Sequence, residues 1–165
     1  MIRKIALATL VAGMLDIMSA FYFAGRAGKS PADVLHFVAS GPFGDQALHG
    51  TSWAIIGLAV HFAIMAVMAV MVTAYMAFAP HFPALYNKPW LGGLLYGLLL
   101  WGIMYWIVRP LRWPAMALPH AWDGMSQAKI AYSIGNALFS HCILVGLPIA
   151  YIALMGGGGG KRRRR

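Results

Sequence analysis

Four long apolar stretches, separated by connectors that carry all but one of the prolines, organise the chain. They cover about residues 5–24, 51–79, 90–108 and 128–155. Each meets or approaches the ~20 residues that cross a hydrocarbon core of about 30 Å. At these lengths strands are disfavoured, because in lipid only a helix satisfies every backbone group within its own segment. The first stretch follows Arg3 and Lys4, as a signal peptide would. It is long, Asp16 interrupts it, and no convincing small-residue cleavage site follows, so it reads as a retained helix.

The connectors add one shorter element. Ser30, Pro31 and Asp33 form a helix start: a capping hydroxyl, a proline in the first turn and an acid at the positive end. The helix is predicted over residues 31–39 and is broken by Gly41-Pro42, which suits a short interfacial helix better than a fifth span. The loop over 80–89 is short and joins antiparallel neighbours, and the loop over 109–126 is longer. Gly93 and Gly97 form a Gly-x-x-x-Gly step, which lets helix backbones approach closely. Pro148 removes a bond to the carbonyl of Leu144 and predicts a kink in the last helix.

Composition agrees with a membrane solvent. Hydrophobic residues make up 61% and charged residues 10% of the 165 residues. A soluble fold of this size would expose too much apolar surface. The formal charge is +9, from 13 Lys and Arg against 4 Asp and no Glu. Five of the positives are Lys161, Arg162, Arg163, Arg164 and Arg165, after a run of glycines. That tail suits anionic lipid headgroups, and the chain lacks the basic face that nucleic acid needs. Cys142 is the only cysteine, so no internal disulfide or thiol cluster forms; it reads as a small apolar residue.

An even number of spans puts both termini on one side. With the tail, that side carries eight positives against five, which favours cytoplasmic termini; without the tail the count reverses, three against five. Trp53, Trp106, Trp113 and Trp122 fall near one expected surface, and Phe82, Tyr86, Trp90 and Tyr151 near the other, as interfacial aromatics do.

Candidate chemistry lies in polar residues within apolar runs: Asp16, His61, Asn136 and His141. A charge at membrane depth is costly, so such residues face the bundle interior, pair, or serve function. Counted inward from one surface, Asp16, His61 and His141 lie at depths of roughly 12, 16 and 21 Å. They are expected to come within reach of one another. Asp16 can also accept from a hydroxyl such as Ser19, Ser133 or Ser140. Three readings follow: structural hydrogen bonding between helices, a proton or solute site, and bis-histidine haem ligation by His61 and His141. His36, His49, His81 and His120 fall in loops or at interfaces and match no metal spacing. No paired carboxylates or Gly-rich phosphate loop point to an enzyme.

Over most of residues 5–155 the chain resembles a group of small, uncharacterised bacterial four-helix membrane proteins, loosely YagU-like. The resemblance rests on Leu15-Asp16-Ile17, on Ala39-Ser40-Gly41 followed by Gly44, and on Leu58-Ala59-Val60-His61-Phe62. It continues through Leu95-Tyr96-Gly97, Val108-Arg109-Pro110-Leu111, and His141 with Leu144 to Ala150. Where the group is expected to carry an Asn late in the third helix, this chain has Tyr105-Trp106. The resemblance implies the four-helix topology and draws attention to Asp16, His61 and His141; it implies no activity.

The sequence thus predicts an all-α, polytopic membrane protein: four transmembrane helices in an antiparallel bundle, with a short interfacial helix in the first loop. Residues 1–155 form one transmembrane domain and 156–165 a flexible basic tail. An inner-membrane, non-enzymatic structural, assembly or accessory component is the favoured role. It needs no cofactor and partners anionic lipids, and it admits a membrane protein partner or a second copy. The alternatives are a small transporter or channel-like protein working through the Asp–His cluster, and a haem protein.

Overall fold

The computed structural model describes residues 1–155, and they are mainly helical, with no strand among them. In chain order the main elements are α1 (Ile2–Arg26), α2 (Pro31–Phe43), α3 (Thr51–Phe78), α4 (Pro89–Arg112) and α5 (Gln127–Leu154). All but α2 are long and apolar enough to cross a membrane. Their 24 to 28 residues correspond to roughly 36–42 Å of helix, against about 30 Å of hydrocarbon. Large apolar side chains such as Leu10, Met18, Ile55, Val67, Leu99 and Trp106 project outward, a surface suited to lipid rather than water.

One half of the helix cluster is dry. Ala8 and Ala12 of α1, Met65, Ala69 and Val72 of α3, Leu100 of α4 and Val145, Ile149 and Ile152 of α5 form its buried core. Small residues set the spacing. A Cβ on Gly97 would lie 2.3 Å from the carbonyl oxygen of His141, and one on Gly146 would lie 2.1 Å from that of Gly93. The Gly-x-x-x-Gly step therefore packs α4 directly onto α5. At the same end, Lys4 Nζ donates to the Ala153 carbonyl at 2.9 Å, where a helix C-terminus favours a cation.

Two π-helical segments interrupt the long helices: Met104–Val108 in α4 and Phe139–Gly146 in α5. Each is followed within two residues by a proline, Pro110 and Pro148. Proline has no N–H, and its ring would strike the carbonyl four residues back. A turn widened to i→i+5 bonding relieves that contact; the Arg109 N–H donates to Met104 and the Leu147 N–H to Cys142.

The short helix α2 starts as its sequence dictates. Ser30 Oγ accepts from the Asp33 N–H at 3.2 Å, and Asp33 Oδ2 accepts from the Ser30 N–H at 2.7 Å. Asp33 Oδ2 also accepts from the Ser30 hydroxyl, and these bonds, backbone first and hydroxyl second, hold its carboxyl below the usual carboxylate range. The end of α2 differs from expectation. Gly41-Pro42 does not break the helix, which runs to Phe43 and stops at Gly44, with φ 83°. Arg112 accounts for the difference: its Nε donates to the carbonyls of Ser40 at 2.7 Å and Gly41 at 3.0 Å, serving the last turn from another helix. The Phe37 and Trp113 rings stack at 4.6 Å beside it. Gly57 of α3 completes the seat of α2, since a Cβ there would lie 2.0 Å from the Leu35 carbonyl oxygen.

Candidate functional site: a polar cavity between α1, α4 and α5

The half of the bundle facing α2 is not closely packed. An inner chamber of about 360 Å³ is lined by Asp16 and Ser19 of α1, Tyr105 and Arg109 of α4, and Ser133, Asn136, Ser140 and His141 of α5. An outer chamber of about 720 Å³ is lined by Lys29, Asp33, His36 and Tyr132. Ala20, Phe23, Phe37, Arg109, Ser133 and Asn136 line both chambers, so the two adjoin. The outer one reaches the exposed residues Lys29 and Asp33. Both π segments border the inner chamber, through Tyr105 on α4 and through Ser140 and His141 on α5. Widened turns of this kind re-aim side chains and are frequent at functional sites.

Three hydrogen-bonding facts and one cation–π contact define the chemistry. Ser140 Oγ donates to Asp16 Oδ1 across the α1–α5 interface. His141 Nδ1 lies 2.8 Å from the Ala137 carbonyl, so a neutral ring donates there and keeps Nε2 as an acceptor. Asn136 Oδ1 has no hydrogen-bond partner. The Arg109 guanidinium lies 4.4 Å over the Tyr105 ring, a cation–π contact that leaves its N–H groups for other acceptors. Among the described residues, neither Asp16 nor Arg109 belongs to an ion pair; the pairs are Arg112–Asp45 and His120–Asp123.

Asp16, Asn136 and His141 are thus brought to one chamber, and His61 is not among its lining residues. His61 is 5% exposed and its Nε2 lies 2.9 Å from the Gly13 carbonyl, with Phe62 edge-on to the ring. It ties α3 to α1 one turn before Asp16. A neutral His61 ring donates from Nε2 to that carbonyl and keeps Nδ1 as an acceptor, but outside the chamber that His141 lines. Among the described residues no three metal-ligating side chains converge. Lys161 to Arg165, the expected lipid-binding tail, lie outside the described residues. Sequence alone did not single out Arg109, Tyr105, Lys29 or His36 as site residues. Arg109 carried one signal, a cation directly at the end of an apolar run.

Comparison with family models, curated proteins and solved structures gives no match to this chain.

Proposed function

We propose that this chain is a multi-pass inner-membrane protein that admits protons or a small polar solute from the α2 side to a floor formed by Asp16, Ser140 and His141. In this reading α1, α3, α4 and α5 span the bilayer as an antiparallel bundle, both termini are cytoplasmic, and α2 lies at the opposite interface. Lys4 bonding to Ala153, and Gly93 meeting Leu147 while Gly97 meets His141, support the antiparallel order. The observation that carries the function is the pair of adjoining cavities, which sets Asp16, His141 and Arg109 next to a chamber that reaches exposed Lys29 and Asp33 within an otherwise apolar bundle. An intramembrane carboxylate lining a cavity beside a histidine is the arrangement that solute and proton pathways use. The dry core beyond it makes the site a half-pathway with one open mouth.

A structural or accessory role is the second reading, favoured by the bonds from Ser140 to Asp16 and from His61 to Gly13, which tie helices together. Accessibility separates the two. In a Cys142→Ala background, Ser133→Cys and Asn136→Cys are expected to react with a membrane-impermeant maleimide from the α2 face only. Failure of both to react, while Asp33→Cys reacts, would remove the solute reading. Flux in proteoliposomes adds the functional arm. Asp16→Asn that loses flux but keeps its stability supports the pathway, and lost stability with normal flux supports the structural role.

A further inference from the structure

The two chambers place opposite charges in a definite order. Asp16 lines the inner chamber alone, whereas Arg109 lines both and stands where they meet. Lys29 lies further out, in the outer chamber only. The Asp33 carboxylate of that chamber is engaged by Ser30. A ligand carrying one charge would leave Asp16 or Arg109 unmatched, and an unmatched, partly buried charge within a bundle of apolar helices is costly. A ligand with both charges compensates both.

We propose that the cavity binds a small zwitterion bearing a primary ammonium and a phosphate or carboxylate group, the ammonium inward at Asp16 and the oxyanion outward at Arg109. This rests on the solute-site reading. The inner chamber is lined by residues with acceptors suited to an ammonium's N–H donors: Asp16, with lone pairs beyond the one Ser140 uses, and His141 through Nε2. Arg109 is the complementary group for an oxyanion, because its planar fork donates two parallel bonds to one phosphate or carboxylate. A chamber of about 360 Å³ is in the size range of small-molecule sites. The same chemistry is carried by a free metabolite and by the headgroup of an amine-bearing phospholipid.

The test uses the full chain in phosphatidylglycerol nanodiscs, with phosphoethanolamine, ethanolamine and methyl phosphate as calorimetric probes. Phosphoethanolamine is expected to bind about tenfold or more tightly than either single-ended probe, as the loss of one charge-assisted contact implies. Asp16→Asn should shrink the preference over methyl phosphate, and Arg109→Gln the preference over ethanolamine. If either variant misfolds, the wild-type comparison still decides. A second arm measures maleimide labelling of Ser133→Cys in phosphatidylethanolamine and in phosphatidylglycerol nanodiscs. Slower labelling in phosphatidylethanolamine identifies a lipid headgroup as the source. A preference for soluble phosphoethanolamine with equal labelling identifies a free solute. Both outcomes support the zwitterion. Equal binding of all three probes, or none, together with equal labelling in the two lipids, overturns it. If Ser133→Cys remains reactive in that case, the solute cavity stands and only the ligand class falls; if it is unreactive, both fall.

Discussion

The hydroxyl of Ser140 on α5 donates to the carboxylate of Asp16 on α1, joining the first and last long helices across 124 residues of sequence. Removing the hydroxyl leaves a partly buried carboxylate without the donor that Ser140 supplies. Interhelical hydrogen bonds in membranes contribute about 0.6–2 kcal/mol. Ser140→Ala is therefore expected to lower stability in mild detergent by about 1 kcal/mol, and Ser140→Thr, which keeps the hydroxyl, to stay near wild type. Thermal unfolding followed by circular dichroism checks this; an alanine variant as stable as wild type would show that the bond contributes little.

Close packing of α4 on α5 makes a sharper contrast between two glycines of one helix. At Gly97 a Cβ would lie 2.3 Å from a backbone oxygen of α5, and at Gly102 it would meet nothing within 4 Å. Gly97→Ala must push the helices apart, at the ~1–3 kcal/mol that overpacking costs. Gly102→Ala has only helix propensity to gain, up to about 1 kcal/mol. The same unfolding assay ranks them, and a Gly97→Ala as stable as Gly102→Ala would contradict the packing.

The four long helices were legible because length and apolarity suffice to define them. The predicted start of the second at residue 51 coincides with that of α3, and the predicted ends lie within four residues of the observed ones. The cap at Ser30 was legible for a similar reason: its residues act on their own turn. What sequence left open was rotation about each helix axis. Comparable depth placed His61 with Asp16 and His141, but depth does not give direction, and His61 turns to the Gly13 carbonyl. Ser140 was one of three hydroxyls within reach of Asp16, and only the register between α1 and α5 selects it. The end of α2 was misjudged because Gly41-Pro42 is a local stop signal, while the donor that overrides it, Arg112, lies about 70 residues away.

The pH dependence of α2 follows from its cap. Bonds from Ser30 lower the folded-state pKa of Asp33 below its unfolded value. A depressed carboxyl pKa contributes stability above the unfolded value, near 3.9, and loses it as pH falls through the lower folded value. Near neutral pH the cap is therefore fully formed. The first turn of α2 is expected to fray on acidification below about pH 4, seen as chemical-shift changes at Asp33 and Val34. Asp33→Asn should abolish that transition, and its persistence in the variant would assign it to another group.

Arg112 supports the last prediction, because its contacts are of unequal worth. Its bond to Asp45, at 2.9 Å, joins side chains that are 29% and 81% exposed. Exposed ion pairs contribute about 0–1 kcal/mol, so Asp45→Ala should be nearly silent. The carbonyls of Ser40 and Gly41 are different. Ser40 is fully buried, and its carbonyl takes the Arg112 Nε at 2.7 Å. Without that donor the Ser40 carbonyl keeps only the Gly44 N–H, at 2.9 Å, and the half-buried Gly41 carbonyl loses its Arg112 bond, a loss of about 1.5–3 kcal/mol for a bond to a charged donor. The Arg112 guanidinium also lies 5.5 Å from the centre of the Trp113 ring, which stacks on Phe37 of α2, so truncation loosens that contact as well. Arg112→Lys keeps the charge but replaces the planar fork with a point donor on a flexible stem, and restores little. Hydrogen exchange of the amides over residues 40–48 is the direct measurement. Arg112→Ala is expected to accelerate it by about tenfold or more, Arg112→Lys by nearly as much, and Asp45→Ala by less than about threefold. If Asp45→Ala and Arg112→Ala accelerate exchange equally, the ion pair and not the helix cap holds α2 in place.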